Sequence, residues 1–249
     1  MKELLRGKCF RAVKAAAVVL GLSFLTSAFA EPMTPMPYAE KDWRVSSFKQ
    51  MKKDFAKLKS TTLLFLGDSI TQGWTATWIK HHGMDTWKTT LKKYPKVNYG
   101  ISSDRVEHIL WRVTEGKSID HFTAKVIILM IGTNNPESPE EIAKGIENLV
   151  KVLQQKRPEA KILLLGVLPV SWRMQKSVQI NDLICKFADN EKVFYRDYSK
   201  IFLTPDGKKA AHLHDGIHPD AEGYKLMAAE MVKDIDEILA GKKAEGAAK

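Results

Sequence analysis

The chain has little cysteine and no apolar run long enough to cross a membrane. Its 249 residues include two cysteines, Cys9 and Cys185, which are too few for a disulfide-stapled scaffold. The most apolar stretch, Ala15 to Leu25, is shorter than the roughly 20 residues that a spanning helix needs. No internal repeat is visible. We therefore expect neither a disulfide-rich miniature protein, nor a repeat protein, nor an integral membrane span.

Positive charge is in excess, but it is not concentrated. The formal net charge is +10, and residues 1–30 carry five basic residues and one acidic one, so the remainder has +6. The basic residues beyond residue 30 are spread along the chain rather than gathered in a stripe. That distribution is typical of a solvated surface and argues against a nucleic-acid partner.

The first thirty residues have the features of a Sec-type signal peptide. A basic start precedes the apolar run, and Ser27-Ala28-Phe29-Ala30 then forms an A-x-A cleavage site. We predict that residues 1–30 are removed after Ala30. The mature protein would be secreted or periplasmic.

The rest of the chain is predicted to hold one domain. Three prolines make residues 31–45 an extended lead-in segment. Residues 46–240 form the domain, and 241–249 are a small, charged, disordered tail. A 44% hydrophobic content suits a single domain with a full core.

Apolar runs of strand length alternate with helical patterns through the domain. The alternation predicts an α/β fold in which a five-stranded parallel sheet has helices on both faces, in three layers. The predicted strands cover residues 62–66, 97–99, 125–131, 160–167 and 192–196.

Polar loops follow three of these strands. They are Gly67-Asp68-Ser69, Gly100-Ile101-Ser102-Ser103-Asp104 and Gly132-Thr133-Asn134-Asn135. In an open parallel sheet these loops share the edge where ligands bind. A serine there is a candidate nucleophile if a base reaches it, although Gly-Asp-Ser alone is equally typical of a turn.

A fourth segment, Asp215-Gly216-Ile217-His218-Pro219, supplies a candidate base. One helical turn brings Asp215 and His218 side by side, so that the carboxylate can fix the imidazole tautomer while the other ring nitrogen faces Ser69. The Asn134 amide and the backbone N–H groups of Ser69 and the 100–104 loop can stabilise an oxyanion.

These four blocks resemble those of the SGNH (GDSL-type) hydrolases. The blocks are G-D-S-I-T, N-Y-G-I-S-S-D, G-T-N-N and D-G-I-H-P, and residues 98–112 with 126–135 are most similar to the catalytic subunits of intracellular platelet-activating-factor acetylhydrolase. The resemblance implies a flavodoxin-like sheet, no metal and hydrolysis of a small acyl ester. It further implies Ser69 as nucleophile, His218 as base and Asp215 as its partner, with Ser69, Ser103 and Asn134 forming the oxyanion hole.

The chain departs from the family pattern at two places in the site. Ser103 stands where the family usually has glycine, which a backbone angle unfavourable to a Cβ would explain. The segment from Ser69 to Asp104 is longer than in the acetylhydrolase subunits, with the extra residues around 75–83. Thr71 breaks the G-x-S-x-G pattern and argues against the α/β-hydrolase fold.

Several aromatic and histidine residues allow two interpretations. Trp74, Trp78 and Trp172 follow strand ends, where packing and stacking on a substrate are equally plausible, and we take them as candidate substrate-binding residues. A zinc site at His212, His214 and His218 would leave Ser69 and Asn134 without a role, so neither a metal nor another cofactor is expected.

The sequence therefore predicts an exported serine esterase. Its substrate would be a small-molecule or glycan ester, with an acetyl group on a carbohydrate as the first hypothesis. The alternatives are a lysophospholipase or short-chain phospholipid acetylhydrolase, a metal-dependent hydrolase, and a non-catalytic carbohydrate-binding protein. The intact set of Ser69, Asn134, Asp215 and His218 argues against the last.

Overall fold

Five parallel strands form the centre of the molecule. The computed structural model describes residues 33–77 and 82–241, so the predicted signal peptide, most of the predicted tail and Trp78 lie outside the described residues. The strands are β1 (Ser60–Gly67), β2 (Lys96–Gly100), β3 (Thr123–Met130), β4 (Lys161–Leu165) and β5 (Val193–Arg196). All the predicted strands are present, and the predicted α/β fold is confirmed.

The strands lie in the order β2-β1-β3-β4-β5. The chain moves from β1 outward to β2 and then returns past β1 to β3, so the direction of winding reverses between β1 and β3. The register pairs Gly67 with Gly100 of β2 and with Met130 of β3. The three strands therefore end level with one another, and the loops that follow them open at one crevice, where α/β sheets bind ligands.

Helices cover both faces of the sheet. They are α1 (Trp43–Asp54), α2 (Ser69–Gln72), α3 (Met84–Thr89), α4 (Val106–Val113), α5 (Pro139–Lys156), α6 (Met174–Ile184) and α7 (Ala221–Leu239). One apolar core joins the sheet to α1, α4, α5 and α6, and a second joins its other face to α3 and α7. The strands are buried on both faces, which explains their nearly continuous apolar sequences.

Helix α5 shows how closely local sequence specifies these elements. Ser138 accepts from the Glu141 backbone N–H at 3.2 Å, and the Glu141 carboxylate accepts from the Ser138 N–H at 2.9 Å. Pro139 occupies the first turn. Helix α3 is short and ends at Thr89, and Asp104 does not cap α4, because its carboxylate points into the core, where it accepts from Tyr38 and Arg112.

The segment before α1 is part of the folded structure. The predicted lead-in overlaps α1, which begins at Trp43, and the Met36 N–H donates to the Glu107 carbonyl at 3.0 Å. Tyr38 is buried against α4. Across residues 33–77 and 82–241, no helix is both long and apolar enough to span a bilayer.

Candidate active site

Ser69 lies at the point where β1 turns into α2. It is the first residue of α2, and the Asp68 carboxylate caps that helix by accepting from the Ile70 N–H at 2.9 Å. A Cβ at Gly67 would collide with the Thr71 side chain and the Met130 carbonyl, so only glycine permits this close turn. The local sequence thereby holds the Ser69 hydroxyl at the carboxyl end of the central strand.

The serine, histidine and aspartate predicted to act together are in contact. Ser69 Oγ lies 2.8 Å from His218 Nε2, and His218 Nδ1 lies 2.7 Å from Asp215 Oδ2. With the imidazole proton on Nδ1, His218 donates to Asp215 and accepts from the Ser69 hydroxyl. This is the hydrogen-bond order that a serine nucleophile needs for activation.

Asp215 is held in its ionised form. Burial alone would raise the pKa of Asp215, but the backbone N–H groups of His218 and Ile217 and the His218 imidazole all donate to its carboxylate, which brings its pKa to about 2. The turn formed by Asp215-Gly216-Ile217 thus fixes the carboxylate as well as the histidine. The negative charge is in place to stabilise an imidazolium.

The candidate oxyanion donors come from the neighbouring strands. Asn134 follows β3, and its side-chain amide donates to the Asp104 carbonyl at 2.9 Å. The same amide makes a longer, weaker hydrogen bond to Asp68 Oδ2 at 3.4 Å. The loop after β2 carries Ser103, which has a φ of +63°. A left-handed backbone costs a residue with a Cβ about 1–2 kcal/mol, a cost that glycine would avoid. The chain nevertheless adopts that backbone with serine.

Asp68 is fully buried beside the nucleophile. Burial raises the pKa of Asp68 to about 7, although the Ile70 N–H opposes that rise. Its carboxylate contacts the Ile70 backbone and lies near the Asn134 amide, and neither contact involves His218. Asp68 therefore shapes the turn that carries Ser69.

The three candidate tryptophans have different environments. Trp74 is 3% exposed and packs its indole against Phe65 and Tyr224, so the expectation that it faces a substrate is not met. Trp78 lies outside the described residues, so its proposed role stays a prediction. Trp172 is 66% exposed and lies beside Gly216, the residue that follows Asp215 in the chain.

One group of side chains has the composition of a metal site. Donor atoms of His214, Asp215 and His218 lie within 4.8 Å of one another. His218, however, already hydrogen-bonds to Asp215 through Nδ1 and to Ser69 through Nε2, so a cation there would replace the contacts on which Ser69 depends. His212 lies apart, near Asp220.

A buried polar cluster beside the site was not predicted from the sequence. The Asp104 carboxylate accepts from the Tyr38 hydroxyl and from Arg112, both at 2.7 Å, and Arg112 also donates to the Tyr99 carbonyl at 2.6 Å. Tyr38 comes from a segment predicted to be only a lead-in. The available signal is Arg112 within the apolar run from Ile109 to Val113 of α4, since a buried arginine requires a partner.

The chain matches a known protein family and is similar to curated relatives. The model of the GDSL-like lipase/acylhydrolase family matches residues 65–226. The human platelet-activating factor acetylhydrolase IB subunit alpha1 is 26% identical over 225 residues, which covers 88% of this chain and 94% of the relative.

Two solved structures share the fold. A GDSL-like lipase from Bacteroides thetaiotaomicron has a TM-score of 0.60 at 21% identity, covering 77% of this chain and 98% of that one. The acetyl xylan esterase AlAXEase has a TM-score of 0.56 at 20% identity, covering 70% and 98%. The family match spans well over half of the sequence and includes Ser69, Asn134 and His218. The chain therefore belongs to the GDSL-like lipase/acylhydrolase family and is an esterase-type hydrolase.

Proposed function

We propose that the protein hydrolyses small acyl esters through an acyl-enzyme on Ser69. The observation that carries this proposal is the continuous hydrogen-bond chain from Ser69 Oγ through His218 to Asp215. Ser69 Oγ attacks the ester carbonyl while His218 Nε2 takes the hydroxyl proton, and the ionised Asp215 stabilises the imidazolium.

The second half of the reaction uses the same groups. His218 returns the proton to the departing alkoxide as the tetrahedral intermediate collapses to the acyl-enzyme. Water then attacks the acyl carbon, again losing its proton to His218, and the carboxylic acid leaves as Ser69 recovers its proton. Through both steps the oxyanion receives hydrogen bonds from the N–H groups of Ser69 and Ser103 and from the Asn134 amide.

We further propose an acetyl ester of a carbohydrate as the preferred substrate. An open cavity of about 580 Å³ lies beside Gly216, because the Ser171 N–H on its wall donates to the Gly216 carbonyl at 2.9 Å. Its lining is mainly polar and holds one exposed indole: Ser171, Trp172, Arg173, Met174, Gln175, Lys176, Gln179 and Lys208. Such a surface suits a sugar ring with its hydroxyl groups better than a lipid chain.

Two considerations bear on that choice of substrate. The predicted signal peptide supports export, and outside the cell an enzyme meets acetylated glycans. The name of the human relative points instead to an acetyl phospholipid, so phospholipid acetylhydrolysis is the second candidate function. The reaction as proposed uses no metal ion.

The experiment compares kcat/KM on acetylated xylo-oligosaccharide and on a 2-acetyl phospholipid, with Ser69→Ala and Trp172→Ala in parallel. We expect the higher value on the sugar ester, a reduced value for Trp172→Ala on that substrate alone, and no effect of EDTA. A higher value on the phospholipid would overturn the carbohydrate assignment. Activity of Ser69→Ala above roughly a thousandth of wild type would overturn the mechanism, since less than that usually remains without the nucleophile.

A further inference from the structure

The segment that precedes β1 hydrogen-bonds to the loop that carries Ser103. Ser103 has the left-handed φ of +63° and an exposed side chain, so its own side chain does not fix that conformation. A residue with a Cβ keeps such a backbone only where neighbouring groups impose it. The direction of the Ser103 N–H, a candidate oxyanion donor, depends on those neighbours.

Arg44 of α1 hydrogen-bonds to the backbone carbonyl of Ser103. Asp42 caps α1, and its carboxylate accepts from the Arg44 guanidinium through both oxygens, from Nε at Oδ1 (3.1 Å) and from Nη2 at Oδ2 (2.6 Å), which orients the planar group. The remaining nitrogen, Nη1, donates to the Ser103 carbonyl at 3.0 Å. A bidentate carboxylate contact of this kind fixes an arginine fork more firmly than a single hydrogen bond does.

Tyr38 holds the next residue along the loop. Its hydroxyl donates to Asp104 Oδ1 at 2.7 Å in a site where Asp104 is fully buried, and the Arg44 guanidinium lies 4.8 Å above the Tyr38 ring. The Asp104 carbonyl in turn accepts from the Asn134 amide at 2.9 Å. The consecutive residues Ser103 and Asp104 therefore connect Arg44 and Tyr38 to two candidate oxyanion donors, the Ser103 N–H and the Asn134 amide.

We propose that Tyr38 and Arg44 are positioning residues of the oxyanion hole, which act on the reaction through Ser103 and Asp104 without touching the substrate. This inference rests on the proposed function, since it assumes that the Ser103 N–H and the Asn134 amide receive the oxyanion. Both residues precede the part of the chain that the family model matches. Neither hydrogen-bonds to Ser69, His218 or Asp215 in the described structure.

The test is the kinetics of Arg44→Gln and Tyr38→Phe on p-nitrophenyl acetate. Removal of a donor outright costs ~10²–10³ in kcat, and because these changes misplace donors without deleting them, we expect a loss of about tenfold in kcat with KM unchanged. The affinity for an aryl trifluoromethyl ketone, whose adduct carries an oxyanion, should fall by the same factor. The pH dependence of kcat should keep its midpoint, because the contacts of His218 are intact.

The matched control is Lys52→Gln. Lys52 also lies on α1 and also donates to a backbone carbonyl, that of Gly116 at 2.9 Å, but far along the chain from Ser103. The Lys52→Gln substitution should leave kcat and the affinity for the trifluoromethyl ketone unchanged. A thermal unfolding curve for every variant separates loss of the oxyanion contacts from loss of folded protein, and Tyr38→Phe preserves the buried ring if Arg44→Gln folds poorly.

A double-mutant cycle tests the physical cause. Glycine adopts a φ of +63° without support, so Ser103→Gly should make the loop less dependent on Arg44. We expect Arg44→Gln to cost about threefold less in kcat when introduced into Ser103→Gly than into wild type. Equal costs in the two backgrounds, or an effect of Arg44→Gln on KM or stability alone, would overturn the inference. Absence of esterase activity in the wild type would instead overturn the proposed function.

Discussion

The Asn134 amide lies near two acceptors in the structure. In the proposed reaction it also donates to the oxyanion. One of its hydrogens goes to the Asp104 carbonyl at 2.9 Å, and the other faces Asp68 Oδ2 at the weaker distance of 3.4 Å. The first contact orients the amide plane. The second leaves a hydrogen that a developing oxyanion at Ser69 can take, because a charged acceptor at shorter range is the stronger partner.

Asn134→Ala tests this role. Because the amide acts mainly on the transition state, kcat should fall by ~10²–10³ with little change in KM. Steady-state kinetics on an acetyl ester measures both quantities. A rise in KM at constant kcat would place Asn134 in substrate binding instead.

Asp68 should make stability depend on pH in a definite direction. Its carboxyl has a pKa of about 7 in the folded protein, whereas in the unfolded chain it titrates near ~3.9. Between those values the folded protein keeps a proton that the unfolded chain releases, so the free energy of unfolding falls as pH rises from about 4 to about 7. Asp68→Asn removes this titration and retains an oxygen for the Ile70 N–H.

Urea unfolding at pH 5 and pH 8 measures the difference. We expect wild type to lose about 2.5 kcal/mol more than Asp68→Asn over that interval. His108, whose pKa burial lowers to about 4, changes stability in the opposite direction, but it is common to both proteins and cancels in the comparison. Parallel losses in the two proteins would show that Asp68 is already ionised at pH 5.

A buried arginine of helix α4 joins the helix to β2 and to the loop that follows this strand, in addition to apolar packing. Arg112 has no exposed surface and donates both to Asp104 and to the Tyr99 carbonyl. Removing one partner of a buried pair leaves the other charge unpaired in the core, which typically costs about 3–5 kcal/mol. Arg112→Met should therefore lower the free energy of unfolding by that amount.

Chemical denaturation measures the free energy of unfolding, and an exposed ion pair serves as the comparison. Lys151 and Glu147 lie 2.6 Å apart on the outer face of α5, and such a pair contributes at most about 0.5 kcal/mol. Lys151→Met is the control. A comparably small change for Arg112→Met would mean that the core accommodates the unpaired Asp104 by protonating it.

The elements that sequence predicted well are those with local causes. The α5 capping box at Ser138 and the apolar run of β1 need no distant partner, so both could be predicted from nearby residues. The placement of Asp104 depends on Tyr38, which is 66 positions away, so the residues next to Asp104 in the sequence do not reveal it. The burial of Trp74 likewise depends on Tyr224 of α7.

At the scale of the molecule, the order of the strands determines what the site contains. Because β1 lies between β2 and β3, the loops that carry Ser69, Ser103 and Asn134 meet at one edge, and the chain returns after β5 to bring His218 to the same place. The four motifs were each visible in the sequence, and the alternation of strands and helices was enough to predict a shared edge. The contacts that hold the Ser103 loop were not visible, since they come from a segment without a recognisable motif.

Export is the prediction that concerns the whole chain. The basic start, the short apolar run and Ser27-Ala28-Phe29-Ala30 lead us to expect removal of residues 1–30. N-terminal sequencing of the protein recovered outside the cytoplasm of a bacterial host should begin at Glu31. A product that retains Met1 and remains in the cytoplasm would contradict this expectation.

The most direct test of the central claim is the covalent labelling of Ser69. A fluorophosphonate forms a P–O bond with an activated serine as fluoride leaves, so intact-mass and peptide analysis report which hydroxyl is nucleophilic. We predict one adduct per chain on the peptide that contains Ser69, no adduct in Ser69→Ala, and much slower labelling in His218→Gln. An adduct on another residue, or an unlabelled wild type that still hydrolyses an acetyl ester, would contradict the account.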